Sequence, residues 1–401
     1  MKCVWCIAVA LLASCPAGSP DSAPAQATLH RVATAAAVAF TGASVVDVVA
    51  GTVVAGRTVV VRGDRIESVG GTPPADATLI SAAGKFLVPG LIDSHVHVRE
   101  KDLATYVDAG ITSVRHMWGY PGLLELADRI VRQQELAPAI YAASPGVDGP
   151  GSPWPYTQLI EDPAAAGALI GALRDEGWRW IKVYPHLARP VYEAVLAAAA
   201  RKGIRVIGHV PFSLPIEEAM AEGHFSVEHL VGYERSLVAQ SAGFYPDWAN
   251  ADASRMAGLA ALTARLGAWN CPTLAIIAIY ARTQDPQGTA VTNRKRMVAA
   301  LRDAGARLLA GTDSGIDVTE PGSSLHEELK QLASARLSNA EALRAATASG
   351  AEFLGEAGRI GTIAAGARAD LLLLDHNPLE DLSALWKPPL IMLRGTLYER
   401  R

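Results

Sequence analysis

The chain has 401 residues, half of them hydrophobic and 19% charged, which supplies a large core and excludes collagen-like, coiled-coil and wholly disordered architectures. Its 36 basic and 40 acidic residues leave a formal net charge of −4 with no basic stripe, which argues against nucleic acid as a partner. Three of the four cysteines (Cys3, Cys6 and Cys15) crowd the N-terminus and leave Cys271 alone in the body, so a disulfide framework and a zinc–thiolate cluster are both excluded.

Lys2 precedes the apolar run from Val4 to Ala13, and Ser14, Cys15 and a Pro/Ala/Gly/Ser-rich stretch follow to Ala27. A charged start, a short apolar stretch and small residues predict an export leader over residues 1–27 rather than a membrane span or a buried first helix. Leu12-Ala13-Ser14-Cys15 resembles a bacterial lipobox, in which Cys15 would be lipidated; Ala23-Pro24-Ala25 fits ordinary cleavage instead. Either way the protein is expected in the periplasm, and a lipidated Cys15 would be its sole membrane anchor.

Residues 28–88 contain β-branched runs (Val38–Phe40, Ser44–Val49, Thr58–Val61, Ile66–Val69) punctuated by Gly51, Gly56, Gly63 and Gly70, which predict a small antiparallel sheet. Ala369–Leu374 and Leu390–Gly395 read the same way at the far end. Residues 28–88 and 357–401 are therefore expected to form one accessory β-sandwich. Between them, eight strand-like runs are predicted at Leu91–Val98, Ser113–Met117, Ala139–Ser144, Trp180–Tyr184, Arg205–Val210, Ser226–Leu230, Asn270–Ala275 and Arg307–Ser314. Helical stretches alternate with them, including Asp162–Glu176, Pro190–Lys202, Ile216–Glu222, Leu325–Arg336 and Asn339–Leu354. Eight β/α units predict a (β/α)8 TIM-like barrel over residues 89–356, with residues 230–268 and 280–305 as longer connections suited to a lid.

Several predicted strands end in residues that can bind a metal. His95 and His97, two apart on one strand, project to the same face, as a chelating pair requires. Lys182, His209, His229 and Asp313 close the fourth, fifth, sixth and eighth strands. The intervals are 85, 27, 20 and 84 residues from His97 onward, which suit three, one, one and two β/α units. All six side chains then meet at the C-terminal rim of the barrel, where sites of this fold lie. A lone histidine on an apolar strand is more often a satisfied core residue; the set of six argues against that for each.

These residues, with Gly90-Leu91-Ile92-Asp93, Gly110–Arg115, Gly208-His209-Val210-Pro211, Glu228-His229-Leu230, Gly311-Thr312-Asp313-Ser314, Leu325–Leu329 and Gly361–Asp370, closely resemble the amidohydrolase superfamily. The nearest likeness is to its binuclear metal-dependent branch, which includes prolidase-like dipeptidases and ochratoxin-type amidases. The resemblance implies that His95, His97 and Asp313 hold one divalent metal and that His209 and His229 hold a second. It further implies that Lys182, carboxylated to a carbamate, bridges the two; an ordinary inward-pointing lysine is the plainer alternative. Zinc suits imidazole and carboxylate ligands best, though manganese or cobalt would also fit. A hydroxide between the metals would attack an amide carbon, with Asp313 as general acid and base.

His116 stands where many relatives carry an aspartate, and it either touches substrate or fills the rim. Tyr184, Tyr233 and Arg235 are candidate substrate contacts, with His186 and the Trp154-Pro155-Tyr156 loop nearby; Arg235 could take a substrate carboxylate or remain a solvated loop residue. His224 reads as a helix end or loop surface, His326 as support, and Asp370 as a structural carboxylate. The expected activity is hydrolysis of carbon–nitrogen bonds in dipeptides or N-acyl amino acids. Lactone or ester hydrolysis is the alternative on the same site, and a non-catalytic binding lipoprotein is the alternative of another class. A mononuclear deaminase would leave Lys182 without a role.

Overall fold

The computed structural model describes residues 29–239, 246–316 and 318–400, so the expected leader, Cys15 and residues 23–25 lie outside the described residues. The middle of the chain carries eight parallel strands: Leu91–Val96, Ile111–His116, Ala139–Ala142, Trp180–Val183, Arg205–Gly208, His224–Glu228, Trp269–Cys271 and Arg307–Leu308. The first three form one sheet; the other five, with the short strands Val147–Asp148 and Gln158–Leu159, form a second. Backbone hydrogen bonds link the sheets at both seams, from Ser144 N to Trp180 O (2.9 Å) on one side and from Ser94 N to Ala310 O (2.9 Å) on the other. With helices between the strands, this is an α/β fold.

Arg189–Lys202 shows how the intervening helices are encoded. Pro190 sits in the first turn, where its missing N–H costs nothing, and Gly203 ends the helix at φ 66°. Between them Val191, Tyr192, Val195, Leu196, Ala198 and Ala199 form the buried stripe.

Several predicted elements differ. The seventh strand stops at Cys271, because Thr273 turns into the left-handed region at φ 48° and Leu274–Gln284 is a helix. The Glu328 carboxylate accepts from Ala275 N at 2.7 Å and so occupies the start of that helix. Residues expected as long connections hold the helices Tyr233–Leu237, Ala253–Leu266, Leu274–Gln284 and Thr289–Asp303. Asp252 caps the second of these by accepting from Ser254 N, and Gly267 closes it. The single helix expected over residues 339–354 is two, Asn339–Ala345 and Ala348–Phe353, because Thr347 leaves helical geometry and donates its hydroxyl back to Leu343 O. His224 is a buried strand residue bonded to the Tyr192 hydroxyl (2.9 Å), not a surface group.

The two ends of the described chain share one nine-stranded sheet. Leu29–Arg31 pairs with Thr396–Arg400, and Phe86–Pro89 with Leu371–Leu374, both antiparallel. The sheet is mixed rather than antiparallel throughout, because Ala37–Asp47 pairs in parallel with both Ala77–Ser81 and Phe86–Pro89. Its apolar side buries Val38, Phe40, Val59, Val61, Leu87, Leu371, Leu373 and Met392 in a core of their own. Asp370 stitches this lobe together, accepting from Arg394 N (2.8 Å) and pairing with Arg368.

Opposite ends of the parallel strands have different characters. Trp180, Phe225 and Trp269, at or beside strand starts, stack around Phe353 with centroids 5.4–5.6 Å apart. The polar cluster lies at the other ends.

Candidate metal centre

His95, His97 and Asp313 converge. Asp313 Oδ1 lies 2.9 Å from His97 Nε2 and 3.2 Å from His95 Nε2, and the three can offer ligand atoms within 4.8 Å of one another. The His229 ring is 4.6 Å from that of His95, and the His209 ring 5.0 Å from that of His229. Lys182 is fully buried beneath them, its Nζ 5.1 Å from the Tyr184 ring centre, and that ring is 4.8 Å from His209. The structure thus brings together all six residues singled out at strand ends.

Hydrogen bonds define which imidazole nitrogens face the cluster. The Glu228 carboxylate can only accept, so His95 Nδ1 donates to it (2.8 Å) and leaves the Nε2 lone pair toward Asp313. His229 Nδ1 is held by the Thr273 hydroxyl at 2.7 Å, which likewise frees its Nε2. Glu228 is in turn held by Arg115 Nη2 (2.8 Å) and the Ser226 hydroxyl (2.7 Å). Arg115 also donates to Ser94 O and lies over the Phe353 ring at 4.4 Å. A buried ion pair therefore runs from the stacked aromatic end to the first histidine. On the same strand as His95, Asp93 accepts from His95 N (3.2 Å), Thr312 N (3.1 Å) and the Thr312 hydroxyl (2.7 Å), tying the first strand to the segment after the eighth, beside Asp313.

Burial lowers the imidazoles: His229 falls to about 3, His209 falls well below its ordinary range, and His97 is lowered too, so each presents a lone pair at neutral pH. Burial also brings the Lys182 amine down to about 8, and its Nζ has no hydrogen-bond partner among the described residues. Desolvation alone would raise both buried carboxyls. Arg115 and His95 outweigh it at Glu228, and His229, His95 and His97 outweigh it at Asp313, so both stay below the ordinary carboxylate range.

Local backbone shapes serve the cluster. His229 and Asp313 both sit at φ 58° without being glycine, a conformation costing roughly 1–3 kcal/mol that surrounding contacts must enforce. The eighth strand ends at Leu308, short of the expected Ser314, and Gly311 is needed where the chain beyond it passes the first strand, since a Cβ there would stand 2.8 Å from His95 N and collide with Cys271 Sγ. Cys271 comes within ligand distance of His95 and Glu228. Burial raises its thiol well above the ordinary value, and Glu228 is already taken by Arg115, so this second group is a support rather than a metal site.

The other candidates lie as follows. His116 commits both nitrogens to backbone, accepting from Val98 N (3.0 Å) and donating to Trp118 O, so it joins two rim loops and has no nitrogen left for substrate. The Tyr233 hydroxyl is taken by Thr263 and Asn270, both at 2.9 Å, inside the helix–strand packing. Arg235 is partly exposed on the helix Tyr233–Leu237. His186 pairs with Asp148 at 2.9 Å. His326 donates from Nε2 to Ala109 O (2.9 Å) and packs on Trp386. Arg115 and Glu228 entered the sequence reading within motifs but without a role, and Thr273 escaped it. The signal for the first two was present: opposite charges inside apolar strand runs require each other when buried.

The sequence matches the profile described as the Amidohydrolase family over residues 86–397. An imidazolonepropionase of Micrococcus luteus is 26% identical over 383 residues, covering 81% of this chain and 89% of the relative. Among solved structures, a bottromycin amidohydrolase is 27% identical with a TM-score of 0.73, covering 98% of this chain and 92% of its own. A Xaa-Pro dipeptidase with methionine bound in its active site shares the fold at 20% identity and a TM-score of 0.72, covering 90% of this chain and 100% of that one.

Proposed function

Because the chain belongs to the amidohydrolase family and is a hydrolase of carbon–nitrogen bonds, we propose that it cleaves an amide in a dipeptide or N-acyl amino acid at a two-metal centre. The observation carrying this is the convergence of His95, His97, Asp313, His209, His229 and buried Lys182 at one end of the parallel strands. The names of the similar proteins, an amidohydrolase and a dipeptidase among them, point the same way. We read the strands as a closed (β/α)8 barrel, supported by the hydrogen bonds at both seams, and the terminal sheet as its accessory β-sandwich.

The donor set fits two divalent cations. His95 and His97 with Asp313 would hold one, and His209 with His229 the other. Lys182 fits the bridging place because its buried Nζ lacks a partner among the described residues and burial favours its neutral amine, the form that adds carbon dioxide to become a carbamate. His209 Nδ1 is buried and unpartnered among the described residues as well. When bound, the metals supply Lewis acidity that makes water a nucleophile at neutral pH and polarises an amide carbonyl; zinc suits these ligands.

The rest of the reaction falls to the protein. Asp313 keeps its carboxylate ionised yet remains 15% exposed at the rim, so it can accept the proton of attacking water and return it to the leaving amine. Glu228 and Arg115 keep His95 in the tautomer whose Nε2 faces the centre. Tyr184, packed on His209, and Arg235 remain the candidate substrate contacts, the latter for a carboxylate; Tyr233 is left out because its hydroxyl is consumed. We also place the protein outside the cytoplasm, as a Cys15 lipoprotein or a periplasmic form cut near Ala25, a reading that rests on the leader sequence.

The test is amide cleavage across a panel of dipeptides and N-acyl amino acids, with Asp313→Asn as control. The wild type should release amino acids, and Asp313→Asn with metals retained should lose about three orders of magnitude or more in kcat. Near wild-type turnover would remove Asp313 from proton transfer; cleavage confined to lactones or esters would replace the amide reading.

A further inference from the structure

Rings form a continuous arc from one side of the histidine cluster to the other. His97 lies 5.9 Å from Trp118, Trp118 5.5 Å from Trp154, Trp154 6.1 Å from Tyr184, and Tyr184 4.8 Å from His209. The arc starts on an imidazole assigned to one metal and ends on an imidazole assigned to the other. It is built from three separate connections, after the second, third and fourth strands, whose ring faces have no reason to meet unless the fold brings them there. Trp118 and Trp154 are both only partly buried, so part of each remains free for contact. The Trp118 Nε1–H is buried without an acceptor among the described residues. Tyr280 packs with Ile276, Ile277 and Ile316 in a second apolar patch, where burial and, to a lesser degree, the Asp313 charge raise its phenol.

We propose that this arc is the specificity surface of the site, and that the substrate is an amide carrying an aryl group, its ring lying against Trp118 and Trp154 with an oxygen accepting from Trp118 Nε1. The proposal rests on the hydrolytic reading of the histidine cluster, because that reading places the scissile bond between His97 and His209. An aromatic face gains from ring–ring contact beyond its apolar area, whereas a saturated ring of the same size gains only the area. An orphaned indole N–H in a partly dry pocket likewise favours an occupant that brings an acceptor.

The experiment measures binding, so it does not depend on turnover. N-benzylacetamide and N-(cyclohexylmethyl)acetamide are titrated into the full, metal-loaded protein, with intrinsic tryptophan fluorescence and calorimetry as readouts. The benzyl compound should bind about tenfold more tightly in the wild type, and Trp154→Leu should abolish the difference. Trp118→Leu should do the same, which guards against a folding failure in either variant, while Trp118→Phe should keep the aryl preference and weaken both amides. Equal affinities in the wild type, or a preference that survives both leucine variants, would overturn the proposal. If no amide in the panel is cleaved although both metals are bound, the amide reading fails while the titration still decides whether the arc selects aryl groups.

Discussion

At the scale of single residues, the account turns on how His95 is held. Its Nδ1 donates to Glu228, and Glu228 is balanced by Arg115, with both charged partners fully buried. Removing one member of a buried pair leaves an uncompensated charge in a low-dielectric interior, which typically costs about 3–5 kcal/mol. Glu228→Gln should therefore lower the melting temperature and, because the ligand loses its orienting carboxylate, weaken the metal that His95 would hold about ten- to a hundredfold. Calorimetric metal titration checks this; unchanged affinity would show that Glu228 serves stability alone. His116 teaches the opposite lesson. Its position suggested a choice between substrate and rim, and the choice turned on partners from two loops, Val98 and Trp118, that no pattern around residue 116 discloses.

At the scale of elements, the strands that carry the site were legible because two signals coincide. Period-two alternation puts His95 and His97 on one face, and unit-length intervals put Lys182, His209 and His229 at successive strand ends. The segment from 230 to 305 was legible only in its strand, expected at Asn270–Ala275 and found at Trp269–Cys271. Its helices are rich in Ala and Arg with weak contrast between faces, as in Thr289–Asp303, and the turn at Thr273 that ends the seventh strand needs a left-handed residue no composition rule would assign to threonine. One consequence concerns the contact between Ser323–Ser334 and the start of Leu274–Gln284. Burial raises the Glu328 carboxyl to about 8 while it caps Ala275 N. The native state then holds a proton that the unfolded chain, titrating near its ordinary 4.5, releases. The stability from this group is full below about 4.5 and lost as pH rises through about 8. Thermal unfolding from pH 5 to pH 9 should show Glu328→Gln gaining on the wild type as pH rises; a constant difference would contradict the shifted carboxyl.

At the scale of the whole molecule, a parallel α/β body presents chemistry at one strand end and a stacked aromatic plug at the other, while strands from both ends of the described chain share a separate sheet. The joining of the two ends was readable from matched β-rich segments; its mixed order was not, because parallel pairing of Ala37–Asp47 depends on which neighbours reach it. No helix among the described residues is long and apolar enough to cross a membrane. The central claim for this body is a centre of two metals bridged through Lys182. The most direct test is metal content per chain after expression with bicarbonate and zinc, for the wild type and for Lys182→Ala. Two equivalents in the wild type and a clear loss in Lys182→Ala are predicted; a single equivalent unaffected by Lys182→Ala would contradict the account.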